Sequence, residues 1–232
     1  MHQANNPQII SIERNSPRYP VRLLDLSDPP DTLYLSGEVF CLNAPMIAIV
    51  GSRKPTAQGI KNAIDFSQAL SKAGFLVISG MARGIDGAAH SAALGLGMGH
   101  PTVAVCGTGL DSVYPPEHHT LAKSIRRQGL LISELAPGIG PKPYHFPRRN
   151  RIIAALSLGV VVVEAAERSG SLITARLACE LGREVFAIPG SIHSPLSRGC
   201  HQLIQQGAKL VQNPEDVLVD LQIYSKNLFK NA

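Results

Sequence analysis

The sequence has no long apolar run; its runs are as short as Val160–Val163. A transmembrane helix needs about 20 consecutive apolar residues, so the sequence predicts no membrane span. The first residues, Met-His-Gln-Ala-Asn-Asn, lack the basic-then-apolar pattern of a secretory signal, which argues against export. Cysteine is scarce. No two of Cys41, Cys106, Cys179 and Cys200 are close enough for a CxxC metal or redox motif, and all four read as reduced thiols of a cytosolic protein. Charge is also low, at 17% of residues against 44% hydrophobic. That balance excludes a disordered chain and allows a sizeable core. With 232 residues, the expectation is one large domain, or one domain with small additions.

The familiar catalytic and phosphate-binding motifs are missing too. There is no GxxxxGK[ST] and no GxSxG, so neither a P-loop NTPase nor a hydrolase elbow is indicated. No GxGxxG follows the first core strand. Gly95-Leu96-Gly97-Met98-Gly99 lies at a helix end, the wrong context for a dinucleotide fingerprint. His118-His119 has no neighbouring metal-ligand partners and reads as the opening of a surface helix. Asp86 and His90 stand four apart on one predicted helix face, as a helix-stabilising polar pair or a catalytic one.

What is present is an alternation. Short apolar runs at Met46–Val50, Phe75–Ser79, Thr102–Cys106, Leu130–Ser133, Val160–Val163, Glu184–Ile188 and Lys209–Val211 read as strands buried on both faces. Helical patterns separate them, over residues 56–73, 84–97, 117–128, 147–157, 171–182 and 198–206, and a last helix starts at Pro214. This order predicts an α/β fold: an extended Rossmann-like, doubly wound, mostly parallel sheet with helices on both faces. Residues 1–44, interrupted by Pro17, Pro20, Pro29 and Pro30, read as an extension packing on the core, with Thr32–Leu35 as an edge strand. The core then spans 45–222, and 223–232 form a polar tail.

Ligands of open parallel sheets bind at the carboxyl ends of the strands. There the sequence places Gly51-Ser52-Arg53, then Gly80 to Gly87 with Arg83 and Asp86, Gly107-Thr108-Gly109, Ser169-Gly170-Ser171, and Pro189-Gly190-Ser191. Any one of these is ordinary turn or cap chemistry. Arg83 could simply pair with Asp86, and Ser169 could only cap a helix. Repeated along one edge, with Arg53, Lys54 and Arg83, they suggest a phosphate-binding rim.

The net charge is +5, from 22 Lys and Arg against 17 Asp and Glu, and one stretch concentrates it: between Glu134 and Glu164 there is no carboxylate. Lys142, Arg148, Arg149 and Arg151 fall there, interleaved with Tyr144, His145 and Phe146. Cations meet phosphates and aromatic faces stack bases in single-strand binding grooves. Near a helix start the three arginines oppose the helix dipole. They therefore serve an anion, or pair with Glu134, Glu164 or Glu167.

At these residues the sequence closely resembles the DprA/Smf family, the bacterial DNA-processing proteins of natural transformation. The resemblance runs from about Tyr19 to about Asp220. It begins with Tyr19-Pro20, Asp28-Pro29-Pro30, Leu33-Tyr34 and Gly37. Ile49-Val50-Gly51-Ser52-Arg53, the segment Ser79 to Asp86, and Gly107 to Asp111 with Tyr114-Pro115 follow. Phe146 to Ile153, Glu164-Ala165, Ser169 to Ala175 and Val185 to Gly190 complete it. The resemblance implies a Rossmann-like core that binds single-stranded DNA, forms a homodimer, helps load the RecA recombinase, and needs neither catalysis, cofactor nor metal. It implies Arg53, Lys142 and Phe146 as DNA contacts. Together with the rim and the basic segment, the expected site is Gly51, Ser52, Arg53, Gly80, Arg83, Lys142, Phe146, Arg148, Arg149, Arg151, Ser169, Gly170 and Ser171. Many members carry an N-terminal helical domain and a C-terminal winged-helix-like domain, and the sequence is expected to hold only the core.

Two other readings remain open at this point. One is a Rossmann-like enzyme hydrolysing a nucleoside monophosphate, with Glu164 and Asp86 as acids. The other is a protein-interaction module, which leaves the clustered cations unexplained.

Overall fold

The computed structural model describes residues 8–228, with side-chain surroundings up to residue 221. Among the described residues nine strands form one sheet: β1 (Ile10–Glu13), β2 (Thr32–Gly37), β3 (Met46–Val50), β4 (Leu76–Ser79), β5 (Thr102–Val105), β6 (Leu130–Ser133), β7 (Gly159–Val162), β8 (Glu184–Ala187) and β9 (Lys209–Leu210). Their order across the sheet is β1-β2-β6-β5-β4-β3-β7-β8-β9. Pairing is parallel from β6 through to β9. It is antiparallel only where β2 meets β6 and β1 meets β2. The helices are α1 (Ala57–Lys72), α2 (Ile85–Leu94), α3 (His119–Gln128), α4 (His145–Leu156), α5 (Gly170–Glu180), α6 (Arg198–Gln205) and α7 (Pro214–Leu228). The expected doubly wound α/β class is the one observed.

The central strands are apolar throughout because both faces are covered. Along β3, Met46, Ala48 and Val50 face a core made with Ile152 and Ile153 of α4, Ala175 and Ala178 of α5, and Cys200 of α6. Ile47 and Ile49 point the other way, into Phe66 and Leu70 of α1, Ile85 and Ala89 of α2, and Val217 of α7. A smaller cluster packs Ala122 and Ile125 of α3 against Ala104 and Leu131. No helix among the described residues is long and apolar enough to cross a membrane. All four cysteines are unpaired, with Cys41 and Cys200 buried and Cys179 exposed on α5.

The N-terminal region departs from expectation. Thr32–Gly37 is not an edge strand, because β1 lies outside it and β6 inside it. Leu33 and Leu35 are fully buried in the main core. β1 escaped the sequence reading because it has four residues and only Ile12 is buried. The helix expected over 84–97 stops at Leu94, with Gly97 at φ +102° after it. α7 runs through Leu228, past the boundary expected at 222, and 229–232 lie outside the described residues.

Asp86 and His90 do not form the expected pair. His90 is fully buried on α2, where Nδ1 lies 2.8 Å from Thr102 Oγ1. The Thr102 hydroxyl donates to Val77 O at 2.6 Å, so His90 Nδ1 carries the hydrogen and donates to Thr102. Nε2 is buried and, among the described residues, has no partner, which suits only the neutral ring. Burial, with the nearby His118 and Arg149, pushes the His90 pKa down from 6.5 to about 3.

Between those two values the unfolded chain holds a proton that the folded chain lacks. This contribution to stability is intact above pH 6.5 and is lost as the pH falls toward 3. His90→Leu is expected to flatten the acid limb of unfolding free energy between pH 4 and 6 by about 1.4 kcal/mol per pH unit. Urea titrations of both proteins across that range check it; parallel acid limbs would contradict a neutral buried His90.

Candidate nucleic-acid interface

The chain runs outward from β3 through β4, β5 and β6, then crosses back to lay β7 and β8 on the other side of β3. β3 and β7 are parallel neighbours, so the loops after them diverge at their shared carboxyl end, the switch point of the fold. A cavity of about 390 Å³ opens there. Gly51, Ser52 and Arg53 line it from β3, Arg168, Ser169, Gly170 and Ser171 from β7, and Phe146, Arg149 and Asn150 from α4. Gly51 is required by packing: a Cβ there would lie 2.8 Å from Ile85 Cγ1 and 3.0 Å from Glu164 O.

Three ties hold the rim. Glu164 accepts from Thr56 N at 2.9 Å and from Thr56 Oγ1 at 2.6 Å, joining the end of β7 to the cap of α1. Asp86 Oδ2 accepts from Gly80 N at 3.0 Å and Ala82 N at 3.3 Å. It thereby fixes a turn in which Met81 adopts φ +59°, a conformation uncommon for a residue other than glycine. Burial pushes the Asp86 pKa up, against the pull of Arg149 and of these N–H groups. Ser169 caps α5, its Oγ accepting from Ser171 N at 3.3 Å, and both residues line the cavity. Cap and rim are the same residues, and the positive end of an 11-residue helix faces the cavity.

The expected arginines separate into distinct roles. Arg149 is buried and donates to Gly80 O and Val105 O. Its guanidinium stands where a Cβ on residue 80 would go, so Gly80 admits Arg149 to the floor of the site. Arg148 and Arg151 reach Glu134 at 3.2 Å and 2.5 Å and approach Asp28 at 3.9 Å and 4.0 Å. They clamp α4 to the end of β6 and to the N-terminal segment, and neither lines the cavity. Burial pushes the Glu134 pKa up while both arginines oppose that. Arg83 pairs with Glu117, not with Asp86.

Arg53, Lys54, Arg168 and Lys142 are exposed and, among the described residues, have no carboxylate partner. Arg53 Cζ lies 5.9 Å from the centroid of Phe146. Lys142 and Tyr144 lie together outside the cavity, Lys142 Nζ being 5.9 Å from the Tyr144 ring centroid. The aromatic neighbour of Phe146 is instead Tyr114, with ring centroids 5.2 Å apart and planes at 41°. A Cβ on Gly107 would meet Phe146 Cδ1 at 2.8 Å, so Gly107 makes room for the ring. Beyond Phe146 a cleft of about 60 Å³ is lined by Gly80, Ala82, Arg83, Tyr114, Pro115 and Arg149, with Arg53 at the junction.

The sequence reading assigned no role to Arg168 or Tyr114. A cation directly before Ser169-Gly170-Ser171 was the available signal for the first. Tyr114 stands out only as part of the family pattern Tyr114-Pro115, and nothing in the sequence joins it to Phe146, 32 positions away. Glu164 and Asp86, the acids that nucleotide hydrolysis would require, are both committed to backbone and cap hydrogen bonds.

Residues 10–222 match the family model of DNA recombination-mediator protein A. The chain belongs to this family. Within it, the chain is 49% identical to protein Smf of Escherichia coli over 212 residues, which are 91% of this chain and 56% of that protein. The chain thus spans about half the length of that relative. The crystal structure of DNA processing protein A from Streptococcus pneumoniae superposes with a TM-score of 0.87 at 48% identity, over 91% of this chain and 74% of that one. A structure of DNA processing protein A from Helicobacter pylori, concerned with that protein's single-stranded DNA binding mode, gives a TM-score of 0.83 at 30% identity, over 93% and 96% of the two chains. Outside the recombination-mediator family, the molybdenum cofactor binding protein of Rippkaea orientalis shares the fold, with a TM-score of 0.56 at 17% identity, over 78% of this chain and 97% of that one.

The buried and exposed arginines are expected to behave oppositely in urea unfolding. Arg149→Leu leaves two buried carbonyls without donors and should cost about 1–3 kcal/mol for each. Arg53→Ala should change stability by no more than about 0.5 kcal/mol. Equal stabilities for the two variants would refute the division of roles.

Proposed function

We propose that this chain is a non-enzymatic binder of single-stranded DNA, a recombination mediator that protects incoming strands and helps load RecA during natural transformation. Action as a homodimer in the cytoplasm belongs to the same reading. The observation that carries it is the switch-point cavity. One cation, Arg53, has no carboxylate partner among the described residues and stands between an anion-binding rim and an aromatic ring. A phosphate there meets the positive end of α5, the hydroxyls of Ser52, Ser169 and Ser171, and the guanidinium groups of Arg53 and Arg168. Gly51 and Gly170 allow the backbone to approach it closely. Phe146 supplies the apolar face that a nucleotide also needs. Lys142 meets the strand outside the cavity. Gly80 and Arg149 act from beneath, by holding the floor in shape, and Arg148 and Arg151 act by fixing α4. The single-stranded DNA binding of the Helicobacter pylori relative supports the choice of ligand.

Contacts to phosphate carry no sequence information. Arg53→Ala is therefore expected to weaken binding of all single strands alike. It should also reduce the salt slope of log K by about 0.7. Fluorescence anisotropy of a labelled strand of about 20 nucleotides, a length of one to a few site sizes, at several salt concentrations measures both. Unchanged affinity and slope would remove the cavity from the proposal.

A further inference from the structure

The two sides of Phe146 differ in character, and the difference has a use. On the cavity side Arg53 and Arg168 have no carboxylate partner among the described residues, and the neighbours are hydroxyls and backbone N–H groups. Three arginines line the cleft side: Arg83 is paired with Glu117, Arg149 is bound to the carbonyls of Gly80 and Val105, and Arg53 is shared with the cavity. The rest of the cleft wall is Tyr114, Pro115 and Phe146, with the small residues Gly80 and Ala82. A phosphate suits the first side. A flat neutral ring suits the second. Phe146 and Arg53 line both, so one nucleotide can span them.

We propose that Tyr114, with Phe146, forms a stacking platform for one unpaired nucleobase, and that this platform makes the site prefer single strands to duplex. The inference rests on the DNA-binding reading above and extends it to the base. Tyr114 is 44% exposed and is tilted against Phe146, so one ring rests on the other while an aromatic surface remains open to solvent. The cleft holds about 60 Å³, less than a nucleobase fills, so the base lies across the exposed Tyr114 ring and caps the cleft. Stacking of this kind accepts any base. A duplex cannot present its base faces without unpairing, whereas its phosphates remain available to Arg53.

The test compares wild type, Tyr114→Ala and Tyr114→Phe on a single strand, a duplex, and a single strand whose bases are replaced by abasic sites. Tyr114→Ala is expected to lose roughly tenfold or more in affinity for the ordinary single strand. It should leave the salt slope, the duplex affinity and the abasic-strand affinity unchanged. Tyr114→Phe should bind as wild type does. An exposed ring can be removed without loss of the fold, and a urea midpoint confirms that. Equal losses on ordinary and abasic strands, or no loss at all, would overturn the platform while leaving the phosphate site standing. Failure of wild type to bind any strand would overturn the DNA reading and the platform with it.

Discussion

A parallel sheet that grows first on one side of a strand and then on the other leaves two loops diverging at its carboxyl edge. In this chain the strand is β3 and the later arrival is β7. Every feature of the site follows from that constraint. The loop after β3 turns one way toward α1, and the loop after β7 turns the other way toward α5. Neither can close the gap between them. The Glu164–Thr56 contacts restrain the opening by tying the end of β7 to the start of α1. They work only because Gly59 has no side chain, since a Cβ there would lie 2.5 Å from the Glu164 carboxyl group.

Charge is organised by depth rather than by position in the sequence. Four consecutive-looking cations between Glu134 and Glu164 have three different environments. Arg149 lies inside, bound to carbonyl groups. Arg148 and Arg151 lie at the boundary, sharing Glu134. Lys142 stands outside beside Tyr144. A helix whose first turns carry arginines is unfavourable on its own dipole. Here that cost is offset because two of them bond carboxylates from other segments and the third satisfies main-chain oxygens of β5 and of the turn after β4.

The sheet and its helices were legible because local signals agree with the fold. Apolar runs such as Met46–Val50 and Leu130–Ser133 coincide with strands buried on both faces. Pro214, Glu215 and Asp216 mark the start of α7. The rim was legible for the same reason, since close approach demands glycine and small hydroxyl residues in recognisable turns. What stayed hidden depends on tertiary contact. β1 becomes a strand only because β2 offers it an edge. The sign of Arg83 could be read, but not its neutralisation by Glu117, 34 residues away. Aromatic residues were read in the segment around Phe146, while the ring beside Phe146 arrives from the loop after β5.

The cysteines, read at first only as evidence of a reducing compartment, make the protein a convenient optical object. Burial pushes the thiols of Cys41 and Cys200 up to about 12 and that of Cys106 up to about 11, and a thiol reacts as its thiolate. Cys179 is the exposed one, and it sits on the helix whose other end forms the rim. Cys179 lies nine positions after Gly170 on this helix, about 13.5 Å at 1.5 Å per residue. A fluorophore coupled to the native sequence therefore lands at one position, within energy-transfer range of anything held in the cavity and clear of its mouth.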